Sequence, residues 1–218
     1  PHECSSAASD VYKRQISQWL CAYPMMTETV NYRKYHLIHH KHTETDLDPD
    51  KSLTDPFPVS KKSFSRKVLR DLTGISGLRR YFGYFYSAWG VNENTFFGHL
   101  KHFVSSLYGF LICQLIIFST LTFFNVPWLY LLLWWIPKLT IFSLFYRLRS
   151  ISEHACTSGQ DDFTHTRTTL SSNFVRYFIA PLNVNYHLEH HLFMFCPWYN
   201  LPNCLLYTSD AADEHSWV

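Results

Sequence analysis

The chain has 218 residues, 47% of them hydrophobic and 18% aromatic, with a formal charge of +2. That length suits one domain rather than several, and so small a charge excludes the basic field of a nucleic-acid-binding protein. The compositional outlier is histidine, with 13 copies, most of them in two compact groups. The six cysteines show no CxxC spacing and read as reduced thiols, not as a disulfide frame or a zinc knuckle.

In chain order, residues 1–15 lack helical or strand periodicity, and residues 205–218 turn abruptly polar and acidic. Both ends read as sequence foreign to the middle, of the kind translated from adapter or vector, with disordered native termini as the alternative. The chain opens on Pro1 rather than Met and is read as a fragment. The domain itself is placed at residues 16–204. Trp19 to Tyr23 reads as the end of a membrane helix, broken near Pro24. Then comes Tyr35-His-Leu-Ile-His-His-Lys-His42, which opens the next helix or directly follows it. Thr43 to Pro58, with four Asp and three Pro, is a polar loop outside the bilayer. From Ser60 to Tyr86, basic residues alternate with apolar ones. This pattern predicts helices lying on an anionic membrane surface, with Gly74 and Gly77 between two of them.

Phe103 to Phe124 is an uncharged, largely apolar run of 22 residues, long enough to cross a hydrocarbon core of about 30 Å. Asn125-Val-Pro127 is a tight break. Pro127 to Tyr146 is nearly as apolar, with Lys138 as its one charge, which can snorkel toward the interface. The two spans predict a transmembrane hairpin. Lys101 before it and Arg147 and Arg149 after it place both outer ends in the cytoplasm. Asn173 to Ala180 reads as another short surface helix. A second histidine run follows, Tyr186-His-Leu-Glu-His-His191, and then an interfacial tail, Leu192 to Leu205.

Both runs have the form HxxHH. On a helix, positions i, i+3 and i+4 share a face, so each run can point three imidazoles inward. Neutral imidazole is a strong ligand for transition metals. The hairpin returns the chain to its starting side, which lets His36, His39, His40, His187, His190 and His191 converge. Six histidines exceed the needs of one tetrahedral zinc and fit two metals better. His154, just past the second span, is expected as a further ligand. Glu153, Asn185, Glu189 and His42 are expected behind the ligands, orienting imidazoles or a bound water. His99, His102 and His165 read as surface or supporting groups.

At His36-Leu-Ile-His-His-Lys-His-Thr43 and Asn183-Val-Asn-Tyr-His-Leu-Glu-His-His191 the chain resembles the membrane fatty acid desaturase family, in particular its bacterial members. The likeness covers about residues 16–204. It implies an all-α membrane protein, a truncated form of a four-transmembrane-helix fold. In that fold a transmembrane hairpin is joined by amphipathic and cytosolic helices carrying histidine boxes. It implies a centre of two Fe ions with O2 as co-substrate, which removes two hydrogens from the acyl chain of a lipid or a thioester such as acyl-CoA. Electrons would come from a ferredoxin, rubredoxin or cytochrome b5-like donor. His36, His39, His40, His187, His190 and His191 match family iron ligands, and His154 matches an additional one. The implied setting is a bilayer with the site facing the cytoplasm, most simply a bacterial inner membrane.

The start departs from the family pattern. A first box needs a second His four or five places after His2, where Ser6 and Ala7 stand. His2 is either a remnant of that box or a coincidence, and the first membrane hairpin is absent or nearly so. Weak or no activity is therefore expected of this chain by itself. Two other readings stand beside desaturation. A di-iron hydroxylase or ketolase acting on a lipid or carotenoid would use the same ligands. A membrane metal-binding or transport protein would put ionisable groups inside its spans, where this chain has only Lys138.

Overall fold

The computed structural model describes residues 11–90, 92–157 and 163–205, and every regular element among them is helical. The expectations for His2 and for most of both end segments concern residues outside those described. Residues 11–17 are helical and lead into a π-helical turn, Gln18–Ala22, although their sequence announces no periodicity. The main helices are α1 (Thr29–His42), α2 (Lys51–Thr54), α3 (Lys61–Leu72), α4 (Ile75–Ala88), α5 (Phe96–Phe123), α6 (Tyr130–His154) and α7 (His187–Leu192). The chain divides into two compact units: Pro1–His36 with Leu69–Ser143, and Leu37–Val68 with Leu144–Val218.

The first unit holds the long apolar helices. α5 has 28 residues and α6 has 25. At 1.5 Å per residue, each is longer than the roughly 30 Å of a hydrocarbon core. Apolar side chains such as Leu115, Ile116, Leu131 and Leu133 are exposed along them, which suits a lipid solvent. Thr95 caps the start of α5, its hydroxyl accepting from Gly98 N–H at 3.0 Å. Asn125, with φ of 59°, ends it in the left-handed conformation and turns the chain into α6. Both helices outrun the apolar stretches that reveal them. α5 starts at Phe96, and α6 continues past Tyr146 to His154. Charge marks where a helix leaves hydrocarbon, not where its hydrogen bonding stops.

The core of this unit is Met26, Tyr81, Ala88, Leu107 and Phe110, with Phe85, Phe103, Trp135 and Leu139 packed against it. The break near Pro24 is present as a 3-10 turn, Tyr23–Met25, closed by Met26 at φ 62°. Lys138 does not snorkel. It is 5% exposed and donates to Pro24 O at 2.8 Å, under the rings of Tyr81, Phe110, Trp134 and Trp135. Gln114 donates to the same carbonyl at 3.2 Å and accepts from Tyr130 at 2.8 Å. A free backbone acceptor and a shell of aromatic faces thus hold the ammonium inside, where an apolar wall alone would have expelled it.

Gly74, at φ +80°, separates α3 from α4 as expected. Gly77 does not mark a boundary. It lies inside α4, against the backbone of Leu139. The second unit contains the end of α1, the polar loop after it, the end of α6 and α7. The short Val175–Ile179 helix appears where a surface helix was expected.

Gly77 and Gly83 make a paired test. A Cβ at Gly77 would overlap the Leu139 backbone, whereas one at Gly83 meets nothing within 4 Å. Gly77→Ala should destabilise by about 1–3 kcal/mol through overpacking. Gly83→Ala should be neutral or stabilise by up to about 1 kcal/mol. Melting of the detergent-solubilised variants measures both.

Candidate metal centre

The histidine run of α1 closes its helix rather than opening it, so His36, His39 and His40 occupy the last two turns. α7 is short and is aimed by the preceding turn, in which Leu182 and Asn183 take φ values of 59° and 56°. His154 is the last residue of α6. The ends of these helices supply the imidazoles.

His39, His154, His187 and His191 form one group, with a ligating atom of each within 4.8 Å of the others. His187 Nε2 lies 2.8 Å from His154 Nε2 and 3.1 Å from His191 Nε2. A second cluster pairs His40 Nε2 with His190 Nε2 at 3.1 Å. His36 is one turn before His40 on α1, half-buried and stacked on Tyr32. The three imidazoles of a run therefore do not act as one face. Consecutive helical residues differ by about 100°, and residues four apart by about 40°. In α7, His187 and His191 stay together while His190 goes to the other cluster. In α1, adjacent His39 and His40 are divided between the two.

These groups pass a test for metal. A metal–imidazole bond of about 2.1 Å sets neighbouring ligand nitrogens about 3 Å apart, the spacing seen here. The nitrogens must also be unprotonated. Burial lowers the pKa of His187 well below the ordinary range, and the adjacent imidazoles of His191 and His154 lower it further. Burial does the same for His191, helped by His40, His154 and His39. Burial likewise lowers His190. The cluster is neutral and rich in lone pairs, the donor set that transition metals prefer.

Glu153 lies beside the cluster, and so do residues that the sequence did not reveal, whereas other expected supporting residues bond elsewhere. Glu153 is buried, binds Arg149 Nε at 2.6 Å, and stands 3.7 Å from His187 Nδ1. That ring nitrogen is buried without a hydrogen bond among the described residues, as is Asn185 Oδ1. Asn185 is paired with Thr169 through its side-chain N–H at 3.1 Å and its carbonyl at 2.9 Å. Glu189 is fully buried, not solvent-facing, and accepts from Thr168 Oγ1. His42 is half-buried, and its carbonyl accepts from the Thr45 N–H and hydroxyl. His99 and His102 sit on α5, bonded through Nδ1 to Trp89 O and Ala88 O, each at 2.8 Å.

Asp48, read from sequence as part of a polar loop, lies 2.8 Å from His39 Nδ1. Thr43 bonds the carbonyl of His39 at 2.7 Å and stands 3.4 Å from His191 Nδ1. The repeated Asp at 46, 48 and 50, so close after the first run, was the available signal. Spacing alone does not say which of the three turns back.

A family model described as fatty acid desaturase matches residues 2–218. Searches of curated proteins and of solved structures found no match.

The lowered histidine pKa values set a pH dependence. An unfolded chain takes up protons on these histidines below about pH 6.5, whereas the folded cluster refuses them. Stability of the metal-free protein should therefore be fully present above about pH 6.5 and fall as the pH drops below it. Melting of chelator-treated protein at pH 7.5 and 5.5 should show this loss, and His191→Gln should make it shallower.

Proposed function

The chain belongs to the fatty acid desaturase family, and we propose that it is an O2-dependent oxidoreductase that introduces a double bond into a fatty acyl chain. Acyl desaturation at a di-iron centre is the chemistry of that family. The observation that carries the reading here is the division of the imidazoles into two groups, each with nitrogens about 3 Å apart. His39, His154, His187 and His191 would hold one iron, and His36, His40 and His190 the other. Bound iron supplies the one-electron oxidising power that an unactivated C–H bond demands, which no charged side chain provides by proton transfer.

The protein's own residues bind and orient. Burial keeps the imidazoles neutral, so their lone pairs face inward instead of carrying protons. Asp48 and Thr43 fix the end of α1. Thr168 and Thr169 brace the start of α7 through Glu189 and Asn185. Glu153, with its charge directed to Arg149, stays near His187 without sitting among the nitrogens. Exposed apolar faces on α5 and α6 embed the protein in lipid, where acyl chains are found. The substrate is an acyl lipid or an acyl thioester, and reducing equivalents come from a ferredoxin, rubredoxin or cytochrome b5-like protein. Basic residues at the outer ends of the two spans support a site on the cytoplasmic side.

Fatty acid profiling of cells expressing the protein together with any upstream sequence that belongs to it tests this. The expected product is two mass units lighter than its parent acyl chain, and His40→Ala and His187→Ala should abolish it. A product sixteen units heavier would make the enzyme a hydroxylase. Purified protein carrying no iron would remove the centre altogether.

A further inference from the structure

We infer that Asp48 is a positioning residue, holding the His39 ring so that its Nε2 is presented to a metal shared with His154, His187 and His191. This rests on reading that group as a metal site. The geometry is specific. His39 Nδ1 and Asp48 Oδ1 are 2.8 Å apart, and both side chains are 3% exposed. The carboxylate has other donors as well. Asp50 N–H gives to Oδ1 at 2.8 Å, and Glu44 N–H gives to Oδ2 at 3.0 Å. Backbone bonds Thr45 N to His42 O and Asp48 N to Thr45 O wind the loop back onto the end of α1. The loop therefore arrives already folded around its carboxylate.

Two consequences follow for His39. Its Nδ1 must carry the proton, because a carboxylate with only lone pairs faces it. Its Nε2 is then the unprotonated nitrogen, on the opposite side of the ring. Rotation of the imidazole would also break a buried, charge-assisted bond, so the ring is fixed in orientation as well as tautomer. Glu153 is placed differently. It stands 3.7 Å from His187 Nδ1 and spends its short bond on Arg149. Asp46, in the same loop, has a side chain 97% exposed and pairs with Lys51 at 2.6 Å.

The test compares wild type with Asp48→Asn, Asp48→Ala and the loop control Asp46→Ala, as full chains in detergent. Iron content per chain is measured, and affinity for Co(II) is followed by chelator competition and by the visible spectrum of the bound ion. Asp48→Asn keeps the shape but cannot accept all three donors. It should weaken one of the two metal sites by about 10–100-fold, and Asp48→Ala at least as much. The Co(II) spectrum of that site should change, while the other site and the Asp46→Ala protein match wild type. Equal loss at both sites, wild-type affinity in Asp48→Asn, or failure of Asp48→Asn to fold would each overturn the inference. If wild type itself binds no metal, the metal reading falls first; metal-replete wild type with unaltered Asp48 variants sinks only the role of Asp48.

Discussion

Buried imidazole nitrogens held about 3 Å apart are the constraint on which the second unit depends. His154, His187 and His191 meet Nε2 to Nε2. Two such nitrogens cannot both be protonated, and burial opposes charging either ring. A core made only for packing would fill this space with aliphatic side chains. The surroundings read as measures to keep these rings in place: Asp48 behind His39, Thr43 tying His39 and His191, Thr168 bonded to Glu189 of α7 and Thr169 to Asn185 just before it.

The first unit solves a different problem with the same economy of contacts. Pro24 interrupts the helix, and its carbonyl needs donors. Lys138 and Gln114 supply them from the two long helices. A charge in an apolar span normally announces a transport path. Here its contacts are with Pro24 O and four aromatic rings, so it acts as a brace for the turn that precedes α1. Gly77 and Gly109 serve that packing in another way, by leaving room for the Leu139 backbone and the Tyr23 ring.

Much of this was legible in the sequence, and what was not has a physical cause. The HxxHH spacing, the two apolar runs and the turn at Asn125 all depend on local periodicity or composition. The division of each run between two groups does not. Helix geometry says that His39 and His40 point apart, but only the partner histidines reveal that both directions are used. Asp48 was hidden because it reaches His39 through a loop, where no period applies. Lys138 was misplaced because its acceptor, Pro24 O, is 114 residues away in sequence. The full burial of Glu189 beside Thr168 was hidden as well, because it comes from the loop at 166–169, which carries no motif.

The split of neighbouring histidines also bears on how such a chain can change over evolutionary time. Replacing an apolar residue within His36 to His40 alters one side chain. Inserting or deleting one residue there rotates all that follows by about 100° and hands each imidazole to the wrong neighbour. Length, more than the identity of the intervening residues, is therefore what selection must guard in these two short segments.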